Sequence, residues 1–254
     1  MSSFSRSGET LLLRCLDAHP DIHVVHQIRE PDADADLALW KFLMDYEPTE
    51  IPHDHELIQA AGVKEGAVLL LKNAVWTHPY PYNGFVLVRN PFAVVNSFKI
   101  LNEDDVKYNK RKQQYRRWAR QIDAKVLPLI NKEPDNITCL CALYNVKMAP
   151  LAKLGLPILR YEDFVTYPET YLNKICDYLG VVWNDLLLKS HTLYSEGELG
   201  HGGIPLWKPI HTGSLHSYQK LPKEVISKIY SLTKPVYEMF GYQYKNNKIT
   251  TIMK

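Results

Sequence analysis

Four short apolar runs constrain this chain more than any other feature. Residues 22–26 (IHVVH), 67–71 (AVLLL), 85–88 (FVLV) and 156–160 (LPILR) are rich in Val, Ile and Leu and do not alternate with polar residues. A strand with one wet face would alternate, so continuous runs of this length fit strands covered on both faces, as in a parallel sheet. Parallel neighbours need long crossovers, and helical patterns fill the intervals. Helices are expected over residues 10–18, 91–101, 108–130, 168–179 and 222–240. Pro91 is placed where a missing N–H costs nothing, and Gly241 makes a natural stop. Strand–helix alternation of this kind predicts an α/β protein with a central parallel β-sheet flanked by helices. No repeat, low-complexity tract or linker divides it, so one domain is expected over 1–254.

The opening stretch, SFSRSGETLLLRCLDAHP, raises a chemical question. Only residues 1–4 precede its turn, so a strand feeding Arg6 is either a stub or begins upstream of Met1. Behind the turn an apolar helix starts. A helix N-terminus offers unpaired N–H groups and a partial positive charge. Gly8 allows close approach of the backbone to a ligand. Ser7 and Thr10 can donate hydroxyl hydrogen bonds, and Arg6 adds a fixed charge. The stretch reads either as an anion cradle or as an ordinary turn capped by Ser7. The phosphate loop G-x-x-x-x-G-K-[ST] is absent, because the chain has no Gly-Lys pair. That disfavours an NTP-hydrolysing P-loop and points to a different phosphate ester.

A second site lies in LVRNPFAVVNSF, residues 87–98. A strand is expected to end at Arg89 and a helix to start at Pro91, with Ser97 two turns in. Arg89 then stands at the carboxyl end of a central strand, where open α/β sheets bind ligands. Two anion-suited turns after two strands are less common than one.

These segments resemble the PAPS-dependent sulfotransferases, which use 3′-phosphoadenosine 5′-phosphosulfate. SRSGETLLLRCLDAHPDI resembles the 5′-phosphosulfate loop of that family, and RNPFAVVNS resembles its 3′-phosphate motif. LRYEDFVTYPE followed by ICDYLGV resembles its Y-E-D-L-V…P…L-G-V segment. KPIHTGSLHSYQKLP…MFGYQY is similar to the tail of tyrosylprotein sulfotransferases, and the motifs as a set stand closest to tyrosylprotein and bacterial-type members. The matches run in order over nearly the whole chain. The resemblance implies a P-loop-like sulfotransferase fold with PAPS as donor substrate and no metal. It puts Arg6, Ser7, Gly8, Glu9, Thr10 and Leu11 on the 5′-phosphosulfate loop and Arg89 with Ser97 on the 3′-phosphate. Tyr161 falls on a nucleotide-contacting tyrosine and Lys208 on a late lysine that closes over the nucleotide. Ser5 and Glu9 depart from the pattern, and a carboxylate beside a phosphate is repulsive.

The reaction implied is in-line transfer of a sulfuryl group to a hydroxyl of a small molecule or peptide. Lys72, after the run 67–71, matches a strand-end lysine placed at the bridging oxygen. The general base is His26 first, then Glu30, then His78. His26 stands in the place of the family's acidic residue and has the pKa range for neutral pH. A kinase or other nucleotide binder on a P-loop-like fold is the alternative, as is a non-catalytic binder of the same fold.

The remaining features have plainer readings. With Lys and Arg numbering 30 against 28 Asp and Glu, the net charge is +2, and no nucleic-acid partner is expected. No apolar run approaches the ~18 residues of a membrane span and no leader precedes Arg6, so a cytoplasmic protein is expected. Cys15, Cys139, Cys141 and Cys176 lack metal spacing and read as reduced core thiols. His53-Asp54-His55 reads as a helix cap. The basic run KYNKRKQQYRRWAR reads as a solvated helix face. Trp40, Trp76, Tyr80 and Tyr82 either line an acceptor pocket or pack in the core, and HGGIPLW has the glycines of a lid. Residues 32–54 and 190–204 are the candidate acceptor loops. The oligomeric state is not readable.

Overall fold

The structure is a computed structural model that describes residues 1–25, 28, 34–45, 53–73, 84–101, 104–133, 135–245 and 248–251. His26, Glu30, His78, Gln27, Trp76, Tyr80 and Tyr82 lie outside the described residues.

The chain opens with a two-residue strand, β1 (Ser2–Ser3), and turns into helix α1 (Glu9–Asp17). Strand β2 (Ile22–Val25) follows, then α2 (Asp34–Asp45), α3 (Glu56–Ala60) and β3 (Val68–Leu71). Next come β4 (Val86–Val88), α4 (Pro91–Ser97), α5 (Asp105–Ile122), α6 (Leu127–Lys132) and α7 (Asn136–Leu151). Strand β5 (Ile158–Arg160) leads into α8 (Tyr161–Thr166), α9 (Pro168–Leu179) and α10 (Leu186–Lys189). A small hairpin, β6 (Leu199–Gly200) and β7 (Ile204–Pro205), precedes α11 (Lys223–Tyr237), and a second hairpin, β8 (Tyr242–Lys245) with β9 (Lys248–Thr251), closes the described chain.

The expected parallel sheet is present. β1, β4 and β5 pair in that order and β2 pairs with β3, all in parallel. The two parts meet at Asn73, just past β3. Its N–H donates to Met1 O at 2.8 Å and its carbonyl accepts from Ser3 N at 3.0 Å. The strand order is therefore β2-β3-β1-β4-β5, and it reverses at β1, the place where α/β sheets open a crevice.

β4 alternates between two cores. Val86 and Val88 join Phe4, Phe92, Tyr144 and Tyr237 on the side of α4, α5, α7 and α11. Leu87 joins Leu12, Leu13, Leu16 and Phe164 on the side of α1 and α8–α10. The expectation of burial on both faces holds fully for β4, whereas β5 lies at the sheet edge and leaves Ile158 exposed.

Some expected elements are corrected. The single helix over 108–130 is two. α5 ends at Ile122, and Asp123 turns to an extended backbone (φ −158°, ψ 112°) with its carboxylate accepting from Lys125 N at 2.9 Å. Pro128 then sits at the start of α6, where its missing N–H is harmless. The helix at 91–101 ends at Ser97, so Ser97 is its last residue. α7 was not expected, because it is apolar nearly all round and has no polar stripe to give a helical period. Buried among its residues are Cys139 and Cys141, and burial pushes the Cys141 thiol up to about 12. All four cysteines are free and buried, as inert core thiols should be.

Candidate active site

The carboxyl ends of β1, β3, β4 and β5 open on one cleft of about 300 Å³. Each strand end delivers a predicted residue to its lining: Arg6 to Leu11 without Ser7 after β1, Lys72 after β3, Arg89 with Ser97 after β4, and Tyr161 after β5. Lys208 closes the ring from the segment after β7.

The loop after β1 is shaped by two left-handed residues. Gly8 has φ 98° and Arg6 has φ 74°, a conformation uncommon for arginine. At Gly8 nothing larger fits: a β-carbon would stand 2.2 Å from Cδ2 of the Tyr161 ring. Gly8 is also the residue before α1, and no side chain caps that helix. Its first-turn N–H groups are thus left to a ligand. Ser7 departs from its expected use. It is fully buried, its N–H is spent on Phe4 O at 3.2 Å, and its Oγ has no hydrogen-bond partner among the described residues. Thr10 Oγ1 donates to His201 O at 3.4 Å, and Arg6 Nη1 to Gly202 O at 3.4 Å. The β6–β7 turn therefore lies over the loop. Glu9 is 5% exposed, and its Oε1 accepts from Ser3 Oγ at 3.2 Å, which turns the carboxylate back toward β1.

Arg89 is buried beside this loop. Its Nη1 donates to Arg6 O at 3.3 Å and its Nη2 to Ser214 O at 3.4 Å, while Nε has no hydrogen-bond partner among the described residues. Its guanidinium lies 4.4 Å from the centre of the Tyr161 ring. Tyr161 in turn shares a hydrogen bond with Ser214 Oγ at 3.0 Å. Ser97 Oγ donates to Val94 O at 2.7 Å, so it must rotate to donate to a ligand. Lys208 is exposed, its Nζ 4.9 Å from the Trp207 ring. Lys72 is buried at the rim of the sheet.

Behind Arg89 lies a rigid support. Glu162 Oε1 accepts from Asn90 N at 3.1 Å and Asn90 Nδ2 at 2.6 Å, and Oε2 accepts from Tyr242 OH at 2.5 Å. Asn90 Oδ1 caps α4 by accepting from Ala93 N at 2.8 Å. Burial first, and then the charge of Glu162, hold the Tyr242 hydroxyl well above the usual tyrosine range, which keeps it a donor. The Tyr161-Glu162-Asp163 motif thus has one residue facing the cleft and one bracing the turn that carries Arg89.

Sequence reasoning left several lining residues unassigned, among them Arg14, His201 and Ser214. Arg14 is one turn beyond Thr10 on the same face of α1, a position whose i, i+4 spacing could have revealed it. His201 opens the HGGIPLW stretch with its lid glycines and Ser214 lies in the KPIHTGSLHSYQKLP segment, but nothing in either stretch assigns these two residues to the cleft. Elsewhere, His55 caps α3 by accepting from Leu57 N at 3.2 Å, as its motif suggested. Trp40 packs against the cluster of Val25, Leu39 and Leu43, a core role. Among the described residues there is no cluster of metal ligands, and no helix is long and apolar enough to cross a membrane.

A parallel sheet whose order reverses at β1, with helices on both faces and a basic cleft at the strand ends, defines a doubly wound α/β fold. The comparisons with known proteins bear on the same fold. The sulfotransferase domain from the Synechococcus PCC 7002 olefin synthase superimposes with a TM-score of 0.58 over 96% of this chain and 94% of its own, at 20% identity. The sulfotransferase domain from the curacin biosynthetic pathway gives a TM-score of 0.53 over 92% of this chain and 95% of its own, at 16% identity. The likeness at this identity is one of fold. No protein-family model matches the chain, and no curated protein matches it.

Proposed function

We propose that the protein is a sulfotransferase, moving a sulfuryl group from 3′-phosphoadenosine 5′-phosphosulfate to the hydroxyl of a small molecule or peptide. The observation that carries this reading is that the uncapped first turn of α1 and the pair Arg89 and Ser97 line one cleft. The donor set suits the nucleotide. Among the described residues, Arg6, Arg14, Lys72, Arg89 and Lys208 are lining cations against the single carboxylate of Glu9, and the buried Nε of Arg89 has no hydrogen-bond partner.

The donor supplies the activated sulfuryl group. Arg89 and Ser97 hold the 3′-phosphate, and the Tyr161 ring, packed on Gly8, walls the nucleotide. Arg6 and the first-turn amides of α1 stabilise the charge that grows on the leaving 5′-phosphate, the electrostatic share of such a transfer. Lys72 does the same at the bridging oxygen. The acceptor proton goes to a base, for which His26, then Glu30, then His78 remain the candidates.

The test is a thermal-shift titration with 3′,5′-adenosine bisphosphate, with ATP and 5′-AMP as controls. Selective stabilisation by the bisphosphate is expected, since only it engages both subsites. An equal response to ATP favours a kinase-like binder instead. Bisphosphate binding without sulfuryl transfer to any hydroxyl acceptor favours a non-catalytic protein.

A further inference from the structure

Arg14 is 1% exposed and lies on α1 beneath the phosphate-type loop. Its Nη1 donates to both Leu206 O and Lys208 O at 2.7 Å, and its Nε to Ser190 Oγ at 3.1 Å. Among the described residues its partners are these carbonyls, the hydroxyl and the thiol of Cys15, none of them an acidic group, and Nη2 has no hydrogen-bond partner. A buried cation with no counter-charge is costly unless a task requires it.

The contacts between loop and strap differ in kind. Arg6 and Thr10 reach Gly202 O and His201 O at 3.4 Å, the long end of hydrogen bonding. Arg14 reaches Leu206 O and Lys208 O at 2.7 Å, where charge-assisted bonds are strong. An anion in the cradle would draw Arg6 and Thr10 away from the carbonyls of the β6–β7 turn. It would leave the Arg14 bonds intact.

We propose that Arg14 is a positioning residue of the nucleotide site. It ties residues 206–208 to the helix behind the phosphate loop, so that Lys208 reaches the phosphates from a fixed base while the β6–β7 turn yields. Its unneutralised charge adds to the positive field that draws the anion in. This rests on the nucleotide reading above, but the tether itself is a property of the ligand-free chain.

The experiment uses the full chain with Arg14→Gln, Arg14→Lys, Lys208→Ala and the double variant Arg14→Gln/Lys208→Ala. Hydrogen exchange is followed without nucleotide at the amides of His201, Gly203 and Leu206, which are bonded to Ile28 O, Gly200 O and Glu198 O. Both Arg14 variants are expected to speed exchange there about tenfold, the scale of a lost charge-assisted hydrogen bond, while the amides of β4 keep their protection. Calorimetry with 3′,5′-adenosine bisphosphate then closes the cycle. Arg14→Gln and Lys208→Ala should each weaken binding about tenfold, and the double variant no more than Arg14→Gln alone. Unchanged exchange overturns the tether, and additive losses overturn the action through Lys208. If Arg14→Gln does not fold, Arg14→Lys carries the exchange test, because it keeps the charge but loses the Nε bond to Ser190 and has a shorter reach to the two carbonyls. If the wild type does not bind the bisphosphate, the nucleotide reading falls and exchange alone decides the tether.

Discussion

At Arg89 the charge outruns its partners. Two carbonyls at 3.3 and 3.4 Å and the face of Tyr161 do not satisfy a buried guanidinium, and its Nε has no hydrogen-bond partner among the described residues. Glu9 is the opposite case, a carboxylate in the same lining whose one described hydrogen bond comes from Ser3 Oγ. The two side chains should therefore move nucleotide affinity in opposite directions. Arg89→Ala is expected to weaken 3′,5′-adenosine bisphosphate at least a hundredfold, and Glu9→Gln to tighten it severalfold, since removing a charge-assisted bond and removing a like-charge contact have those signs. Calorimetry at low and high salt checks both, and an Arg89→Ala protein with wild-type affinity sinks the clamp. The spacing of Arg89 and Ser97 was legible because a strand end and the helix after it hold eight residues in a fixed geometry. Arg14 had only a weak signal, its i, i+4 spacing from Thr10, because among Leu12, Leu13 and Leu16 a lone arginine looks like a helix surface residue. Ser7 was read as a donor to the anion, and only packing shows its hydroxyl turned inside.

Elements were readable where their period or punctuation was strong. Strands β2 to β5 announced themselves as apolar runs, and α11 ends at Tyr237 in a 3₁₀ turn, Glu238–Phe240, that stops at the left-handed Gly241 the sequence marked. α7 hid because a helix buried on all sides loses the polar stripe by which helices are recognised. The break at Asp123 had a signal, an Asp that caps and a Pro five residues on, which the dense basic run before it obscured. What fastens α5, α6 and α7 around that break is Lys112, whose Nζ donates to Ile130 O at 3.0 Å, to Cys139 Sγ at 3.1 Å and to Glu133 O. A buried ammonium spent on uncharged acceptors holds the α5–α6 corner shut, and its loss leaves carbonyls dry. Lys112→Met should lower unfolding stability by about 2 kcal/mol, the cost of buried acceptors left without donors. Urea denaturation reads this directly, and a variant as stable as the wild type means that the methionine packs well enough to replace the bonds.

In the whole molecule, the two parts of the parallel sheet are joined by the Ser2–Asn73 bridge and by the bond from Met1 N to Leu71 O, and this seam lies beside the cleft. Asn73 pairs with the β1 strand by its backbone, and its Oδ1 accepts from Lys147 Nζ at 3.2 Å. Lys147 rises from α7 and has no exposed surface. Burial pushes its ammonium down to about 7. In the unfolded chain the same group titrates near ~10.4. Between those two values the unfolded chain binds the extra proton, so stability rises with pH across that window. Below about 7 both states carry the charge and the full cost of burying it is present. The slope this one group supplies is at most about 1.4 kcal/mol per pH unit. Lys147→Met should therefore gain on the wild type at neutral pH and lose that advantage toward pH 10. The difference between their stability curves reports Lys147 together with the buried Met1 amine, which burial first and the Lys147 charge second hold down. A difference that is flat with pH would mean that Lys147 stays charged inside the fold, held by its partners around Asn73. The seam between β1 and β3 would then carry a permanent positive charge, instead of one lost as pH rises through about 7.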